Sequence, residues 1–288
     1  MSSKATICGL FGKSRQAWYE SKNKARNQDL HAVLILGMVK QIRKDHPRMG
    51  TDKLYYLLKP QLKEHKISYG RDKLHALLSA YGLLVRHSKR GPKTTNSNHM
   101  YRKYPNLIRD MKLSHSCQLW VSDITYIRTS KGFVYLSLIT DAYSRKIVGW
   151  CLWPDLSSQG ALNALQMALE NEKKTDKLIH HSDRGIQYCC YDYVNYLKGQ
   201  QINISMTEKG DPYENAIAER VNGILKSEYG LYNVFEDYLQ ANEAVKRAVN
   251  LYNNKRPHSS IEHKTPIQAH QFKGKMKNLW KKIQREES

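Results

Sequence analysis

The sequence predicts an α/β protein: a mixed five-stranded sheet with flanking helices, preceded by a small all-α region. Three observations carry this. Three β-rich runs follow one another between residues 119 and 153 with short turns between them, which reads as an antiparallel meander. Amphipathic helical stretches then alternate with two further apolar runs, the pattern of a sheet covered on both faces. Upstream, leucines recur at helical spacing between glycine and proline breaks.

The 288 residues suffice for two domains and a sizeable core. The longest apolar run, Ala32 to Val39, is broken by Gly37 and too short to span a bilayer. The N-terminus lacks a signal-peptide layout, so a cytoplasmic protein without a membrane partner is expected. Cys8, Cys117, Cys151, Cys189 and Cys190 form no CxxC pair, which fits reduced thiols. Net charge is +21 and unevenly spread. Residues 1–120 carry 24 Lys or Arg against 7 Asp or Glu, residues 121–230 carry 12 against 13, and residues 231–288 carry 11 against 6. A basic flank beside a neutral middle suits a polyanion held mostly by the flanks.

Residues 1–85 read as helical. Asp29 caps a helix from His31 to about Asp45, and Pro47 stops it. Gly50-Thr51 opens a second helix to about Leu62, with Leu54, Leu57 and Leu58 on one face. A third runs from Arg71 to Tyr81, with Leu74, Leu77 and Leu78 inward, and Gly82 closes it. Arg71, Lys73 and His75 face outward. These residues alone fit a helix-turn-helix reading a major groove or an ordinary bundle equally well.

Residues 86–115 form a basic linker by composition, with Arg86, Lys89 and Arg90 among turn-forming residues. The core spans residues 116–230. LWVSDITYI, FVYLSLITDA and KIVGWCLW are three strands, and Ser157 to Glu172 is an amphipathic helix. Lys177 to His181 is a fourth strand, Asp192 to Lys198 lies in a helix, and Ile202 to Met206 is a fifth strand. A helix beginning near Gly210-Asp211-Pro212 ends the core. The tail, residues 231–288, holds a helix from about Phe235 to Tyr252 and a basic end. Arg256-Pro257-His258 fits a turn packed on the core and a DNA contact equally well.

Three acids stand out. Asp123 interrupts an apolar strand, a poor place for aspartate. Asp183 ends the fourth strand beside Gly185. Glu219 lies on the last core helix, where Ile217, Val221, Ile224 and Leu225 face inward and Glu219, Asn222 and Lys226 form a separate stripe. Carboxylates on a strand, at a strand end and on a helix could converge on divalent metal, as two-metal phosphoryl transfer requires.

Asp123, Asp183 and Glu219, with 35 residues between the last two and Lys226 seven after the Glu, resemble the DDE transposase and retroviral integrase superfamily. The nearer likeness is to the OrfB transposases of two-frame bacterial insertion sequences. LWVSDITYI, SRKIVGW, HSDRGIQY, AERVNGILKSE and YNNKRPHSSIEHKTP carry it, in order, over roughly Gly9 to Pro266. The resemblance implies a ribonuclease-H-like core, which the order βββαβαβα matches. It implies cleavage at the element's ends and attack of the freed 3′-hydroxyl on other DNA, an integrase-type polynucleotidyl transfer. Two Mg²⁺ ions, with Mn²⁺ as substitute, would be bridged by Asp123 and held singly by Asp183 and Glu219. It favours the helix-turn-helix reading of residues 1–85. DNA contacts are expected at Lys226, Arg184 and Asn222 near the acids, at Arg71 and Lys73, and at Arg86, Lys89 and Arg90. Assembly as a homo-oligomer on DNA is implied, as is fusion to or partnership with an upstream-frame helix-turn-helix and leucine-zipper protein. No heptad run occurs in this chain.

Rival readings are a DNA-binding regulator with an inert core and a nuclease that cuts without joining. Asp211 and Glu214 compete with Glu219 for the third carboxylate, and the family usually has Asp where this chain has Glu214. Asp141 reads as structural. His180-His181 with Cys189-Cys190 lacks the ligand spacing of a closed zinc site.

Overall fold

The first helix, α1 (Arg15–Asp45), begins sixteen residues before His31. Ser14 caps it, its hydroxyl accepting from the Ala17 amide at 3.0 Å, so Asp29 lies within the helix rather than at its cap. Helices α2 (Thr51–Glu64) and α3 (Arg71–Ala80) follow. Leu54, Leu58, Leu62, Leu74 and Leu78 pack with Ile35, Val39 and Met49 as one core, while Leu57 and Leu77 are partly buried against it. Gly82 ends the bundle at a φ of 64°, a conformation that favours glycine.

The structure, a computed structural model, describes residues 14–85, 99–109, 111–208 and 215–276. Its contacts divide the chain into two units, residues 1–86 and residues 87–288.

The second unit is built on a long hairpin. Strands β1 (Leu119–Thr129) and β2 (Gly132–Asp141) pair antiparallel from Trp120 opposite Asp141 to Thr129 opposite Gly132. Strand β3 (Ile147–Trp153) pairs antiparallel with β2. Helix α4 (Ser158–Asn171) then crosses the sheet so closely that a Cβ added at Gly149 would meet the Ala164 carbonyl oxygen at 2.1 Å. Strand β4 (Ile179–Ser182) runs parallel to β1. Helices α5 (Ile186–Cys189) and α6 (Tyr191–Gly199) precede β5 (Asn203–Met206), which is parallel to β4. The order β3-β2-β1-β4-β5, three antiparallel strands and then two parallel ones, is a ribonuclease-H-like sheet.

Helices cover both faces. On one, Trp120, Ile139 and Val148 pack with Ala161, Leu165, Tyr193 and Leu197 of α4 and α6. On the other, Ile127, Leu136 and Leu152 pack with Val221 and Ile224 of α7 (Ala216–Glu228) and Val245 and Tyr252 of α8 (Tyr238–Lys255). A sixth strand absent from the sequence expectation, β6 (Val234–Phe235), pairs with β1. At two residues it is too short to leave a pattern. A 3₁₀ turn (Ser259–Ile261) and α9 (Pro266–His270) complete the unit.

The downstream half of the expected linker is part of this unit. Tyr101 and Tyr104 pack on the α4/α6 face, and Ile108, Met111 and Leu113 pack around Val121 and Ala218. Pro105 accepts from the Met206 amide at 3.3 Å and Leu107 donates to Ser205 at 2.9 Å, which covers the edge of β5. Among the described residues, no helix is long and apolar enough to cross a membrane.

Candidate active site

Strand β4 pairs with β1 only as far as Val121, and β6 pairs with the same edge only from Arg128. Between them, from Ser122 to Ile127, no described strand pairs with that edge. Helix α7 fills the notch with side chains instead. Asn215, at its cap, donates to the Ser122 carbonyl at 3.0 Å, and Asn222 donates to Asp123 Oδ2 at 2.8 Å.

The Asp123 carboxylate is therefore held where the sheet opens. Its Oδ1 also accepts from the Ile124 amide at 3.0 Å. Burial pushes this carboxyl up to about 7; Asp183 and, more weakly, Glu219 push the same way, and the Asn222 bond opposes them. Asp183 follows β4, and its Oδ1 accepts from the Gly185 amide at 3.0 Å, so a short turn aims it. Glu219 stands exposed in the first turn of α7. A small cleft is lined by Asp123, Ile124, Leu156, Asp183, Gly185, Gln187 and Tyr188. Glu219 is not among its lining residues, but its charge reaches Asp123.

The charges of Asp183 and Glu219 thus both bear on the Asp123 carboxylate, each acid coming from a different part of the fold. An all-oxygen donor set with this excess negative charge fits a hard divalent cation. Among the described residues that line the cleft there is no nucleophile–base pair for acyl transfer, and a divalent ion held by these carboxylates would stabilise charge on a bound anionic group.

The integrase core domain family matches residues 114–212 and again residues 200–266. An insertion element IS600 uncharacterized 31 kDa protein of Shigella sonnei is 32% identical over 265 residues, 90% of this chain and 96% of that protein. The chain belongs to the integrase-core family of insertion-sequence transposases. The transposase InsF for insertion sequence IS3A of Escherichia coli (strain K12) is 33% identical over 231 residues, 77% of each chain. Among solved structures, the HTLV-2 integrase catalytic core domain in complex with magnesium aligns at 20% identity and a TM-score of 0.45, over 54% of this chain and 97% of that one.

Other expected residues of the transposase fall in varied places. Asn222 is only 5% exposed and points at Asp123, so its amide serves the acid rather than facing outward. Lys226 is 8% exposed, with Nζ 3.9 Å from the Tyr126 ring centroid and 5.8 Å from that of Tyr232. Burial holds this amine down at about 8, Asp123 acts to keep it protonated and Arg128 opposes that. The open lysine expected from the helical stripe is therefore a covered one: the stripe predicts direction but not the two tyrosines that close over it. Arg184 is half-buried, and its carbonyl accepts from His99 Nε2 at 2.8 Å. Arg71, Lys73 and His75 are exposed on α3, with Arg71 bonded to Asp72 at 2.9 Å. Arg86, Lys89, Arg90, Asp211 and Glu214 lie outside the described residues.

Neither histidine before Asp183 lines the cleft. His180, pushed down to about 3 by burial and by His181, is neutral beneath the site, within 2.7 Å of Ser122 Oγ and 2.9 Å of the Tyr193 hydroxyl. His181 Nδ1 is 2.9 Å from Ser205 Oγ on β5. Asp141 accepts from the Cys117 amide, the Ser144 amide and the Ser144 hydroxyl at 2.7, 2.8 and 2.7 Å, which occupies it structurally. Arg256 is buried and grips Glu228 with two hydrogen bonds of 2.8 and 2.7 Å, anchoring the C-terminal end of the helix that carries Glu219. Nothing in Arg256-Pro257-His258 alone separates that anchor from a DNA contact, because the partner lies 28 residues away.

Proposed function

We propose that this transposase cleaves DNA at the ends of its insertion sequence and joins the freed ends to target DNA, with Asp123, Asp183 and Glu219 as the catalytic carboxylates. The observation that carries the reading is the buried Asp123 carboxyl, raised by burial and by the neighbouring Asp183 and Glu219 charges, at an opening in the sheet. Asp123, Asp183 and Glu219 would hold two Mg²⁺ ions, or Mn²⁺ in their place. When bound, such ions lower the pKa of an attacking water or 3′-hydroxyl and stabilise the leaving oxygen. Asn222 holds Asp123 in one orientation. Asp183 is kept rigid by its turn. Glu219, exposed in the first turn of α7, supplies the third carboxylate.

DNA is the partner. Arg71 and Lys73 on the helix-turn-helix-like unit, Arg86, Lys89 and Arg90 in the linker, and Arg184 beside the acids are the proposed contacts. Asn222 and Lys226, expected as contacts, are covered and act without touching DNA, Asn222 through its bond to Asp123 and Lys226 through its charge. The transposase assembles as a homo-oligomer on DNA, alone or with an upstream-frame helix-turn-helix and leucine-zipper protein. The helical unit, expected at residues 1–85, and the second unit, which takes in the downstream half of the expected linker at 86–115, the core at 116–230 and the tail at 231–288, act in the cytoplasm.

The test is incubation of purified protein and Mg²⁺ with the DNA ends flanking its own gene. Joined products are expected from the parent, and none from Asp123→Asn, Asp183→Asn or Glu219→Gln, each of which should still bind DNA. Cleavage without joining would identify a nuclease, and joining by any of the three variants would remove that acid from the set.

A further inference from the structure

A second cluster of ligand-type side chains lies away from the three acids. It joins Cys117, just before β1, Glu172, at the C-cap of α4, and His270, at the end of α9. Their donor atoms all lie within 4.8 Å of one another. His270 Nε2 is 2.9 Å from Glu172 Oε2 and 3.9 Å from Cys117 Sγ.

Each of the three is already oriented by a second partner. The Ser144 hydroxyl donates to Asp141, a carboxylate that can only accept, and the same oxygen is 2.9 Å from His270 Nδ1. With the hydroxyl proton so directed, Nδ1 is the imidazole's donor and Nε2 is turned on Glu172 and Cys117. Lys146 takes Glu172 Oε1, leaving Oε2 toward the histidine. Cys117 is pinned through its backbone, the amide donating to Asp141 at 2.7 Å and the carbonyl accepting from Thr175 at 2.7 Å, at a φ of 61°. Outer partners that hold a histidine's far nitrogen and a carboxylate's far oxygen are what metal ligands carry.

We propose that Cys117 Sγ, Glu172 Oε2 and His270 Nε2 form a binding site for one zinc-class divalent cation, with a fourth position open to water. Tetrahedral zinc separates nitrogen from oxygen donors by about 3.3 Å and nitrogen from sulfur by about 3.5 Å. The separations of 2.9 and 3.9 Å bracket these values and need side-chain shifts of a few tenths of an ångström. The mixed sulfur and nitrogen set selects zinc-like ions over the magnesium that suits the oxygen-only site. With Cys117 as thiolate, three negative charges at Cys117, Asp141 and Glu172 favour a cation at this place. Binding releases the Cys117 thiol proton, which burial, Asp141 and Glu172 otherwise hold on with a pKa pushed up to about 12. The ion would tie α9 and the end of α4 to the start of β1, the strand that carries Asp123.

The rival arrangement is a metal-free ion cluster with a protonated His270 between Glu172 and Asp141. Cobalt(II) separates the two. Added to the metal-stripped full-length protein, Co²⁺ should produce a thiolate-to-cobalt charge-transfer absorption that saturates at one equivalent and is displaced by Zn²⁺. Asp123→Asn should leave that band in place, Cys117→Ser should abolish it, and Glu172→Gln should keep it while weakening affinity about tenfold or more. Should Cys117→Ser fail to fold, the parent and Glu172→Gln spectra still decide. No thiolate band in the parent, a band that survives Cys117→Ser, or a band lost in Asp123→Asn would each overturn the site.

Discussion

Asn222 Nδ2 lies 2.8 Å from Asp123 Oδ2, 99 residues away in the chain, and is the one side-chain hydrogen bond described for that carboxylate. It acts against burial and the neighbouring acids, all of which favour the protonated form. Asp123 ionisation is thus set by a contest between a desolvated site with neighbouring acids and two amides, the Asn222 side chain and, more weakly, the Ile124 backbone.

Asn222→Ala should shift the pH dependence of the site. Metal binding needs the carboxylate, so affinity for Mg²⁺ rises with pH through the Asp123 pKa of about 7. Removing a hydrogen bond to a charged group, worth about 1.5 kcal/mol, should move that midpoint up by roughly one pH unit. Because the folded pKa is raised from the ordinary value of 3.8 to about 7, the metal-free protein loses stability as pH rises between those values, and in the variant the loss continues roughly one pH unit further. Isothermal titration of Mg²⁺ at several pH values checks this; an unmoved midpoint would show that Asn222 only fills space.

Lys226 is packed as well as charged. Lys226→Met keeps its volume and should change stability by less than about 1.5 kcal/mol, whereas Lys226→Arg overfills the slot between Tyr126 and Tyr232 and should cost about 1–3 kcal/mol. Chemical denaturation reads both. Joining by Lys226→Met should fall and should not recover with added Mg²⁺, since the lost group is a cation rather than a ligand.

Arg256→Leu should cost about 3–5 kcal/mol, because it strands the Glu228 carboxylate in a largely covered place. Arg256→Leu combined with Glu228→Leu should recover much of that loss. A double-mutant cycle by thermal unfolding measures the coupling, and additive losses would mean the two residues do not act as a pair.

Arg71→Ala and Lys73→Ala test the helical unit. Arg71 is exposed, and its bonds to Asp72 and Asp52 are of the weak surface kind. If both residues meet phosphates, each variant should bind DNA less tightly, with the slope of log affinity against log salt shallower by about 0.9 per lost contact. Melting curves should stay unchanged. An unaltered slope would return the unit to an ordinary bundle.

The sequence by itself determined the class of sheet and the order of its strands, and it singled out the three acids that are proposed as catalytic. Periodicity and turn residues are local, so β1 to β5 were legible within a few residues of their ends. An aspartate amid Val121, Ile124 and Ile127 is conspicuous wherever it lies in space. Only the tertiary structure decided what depends on distant pairs: that Asn222 serves Asp123, that Tyr126 and Tyr232 cover Lys226, that Arg256 grips Glu228, and that Cys117, Glu172 and His270 meet. It also carried α1 back to Ser14, through residues whose composition shows no stripe, because one capping hydroxyl and continued backbone bonding suffice. Hydrophobic pattern tells which side of an element is buried. Which polar groups meet there is set by packing between elements, and that information is not periodic in the chain.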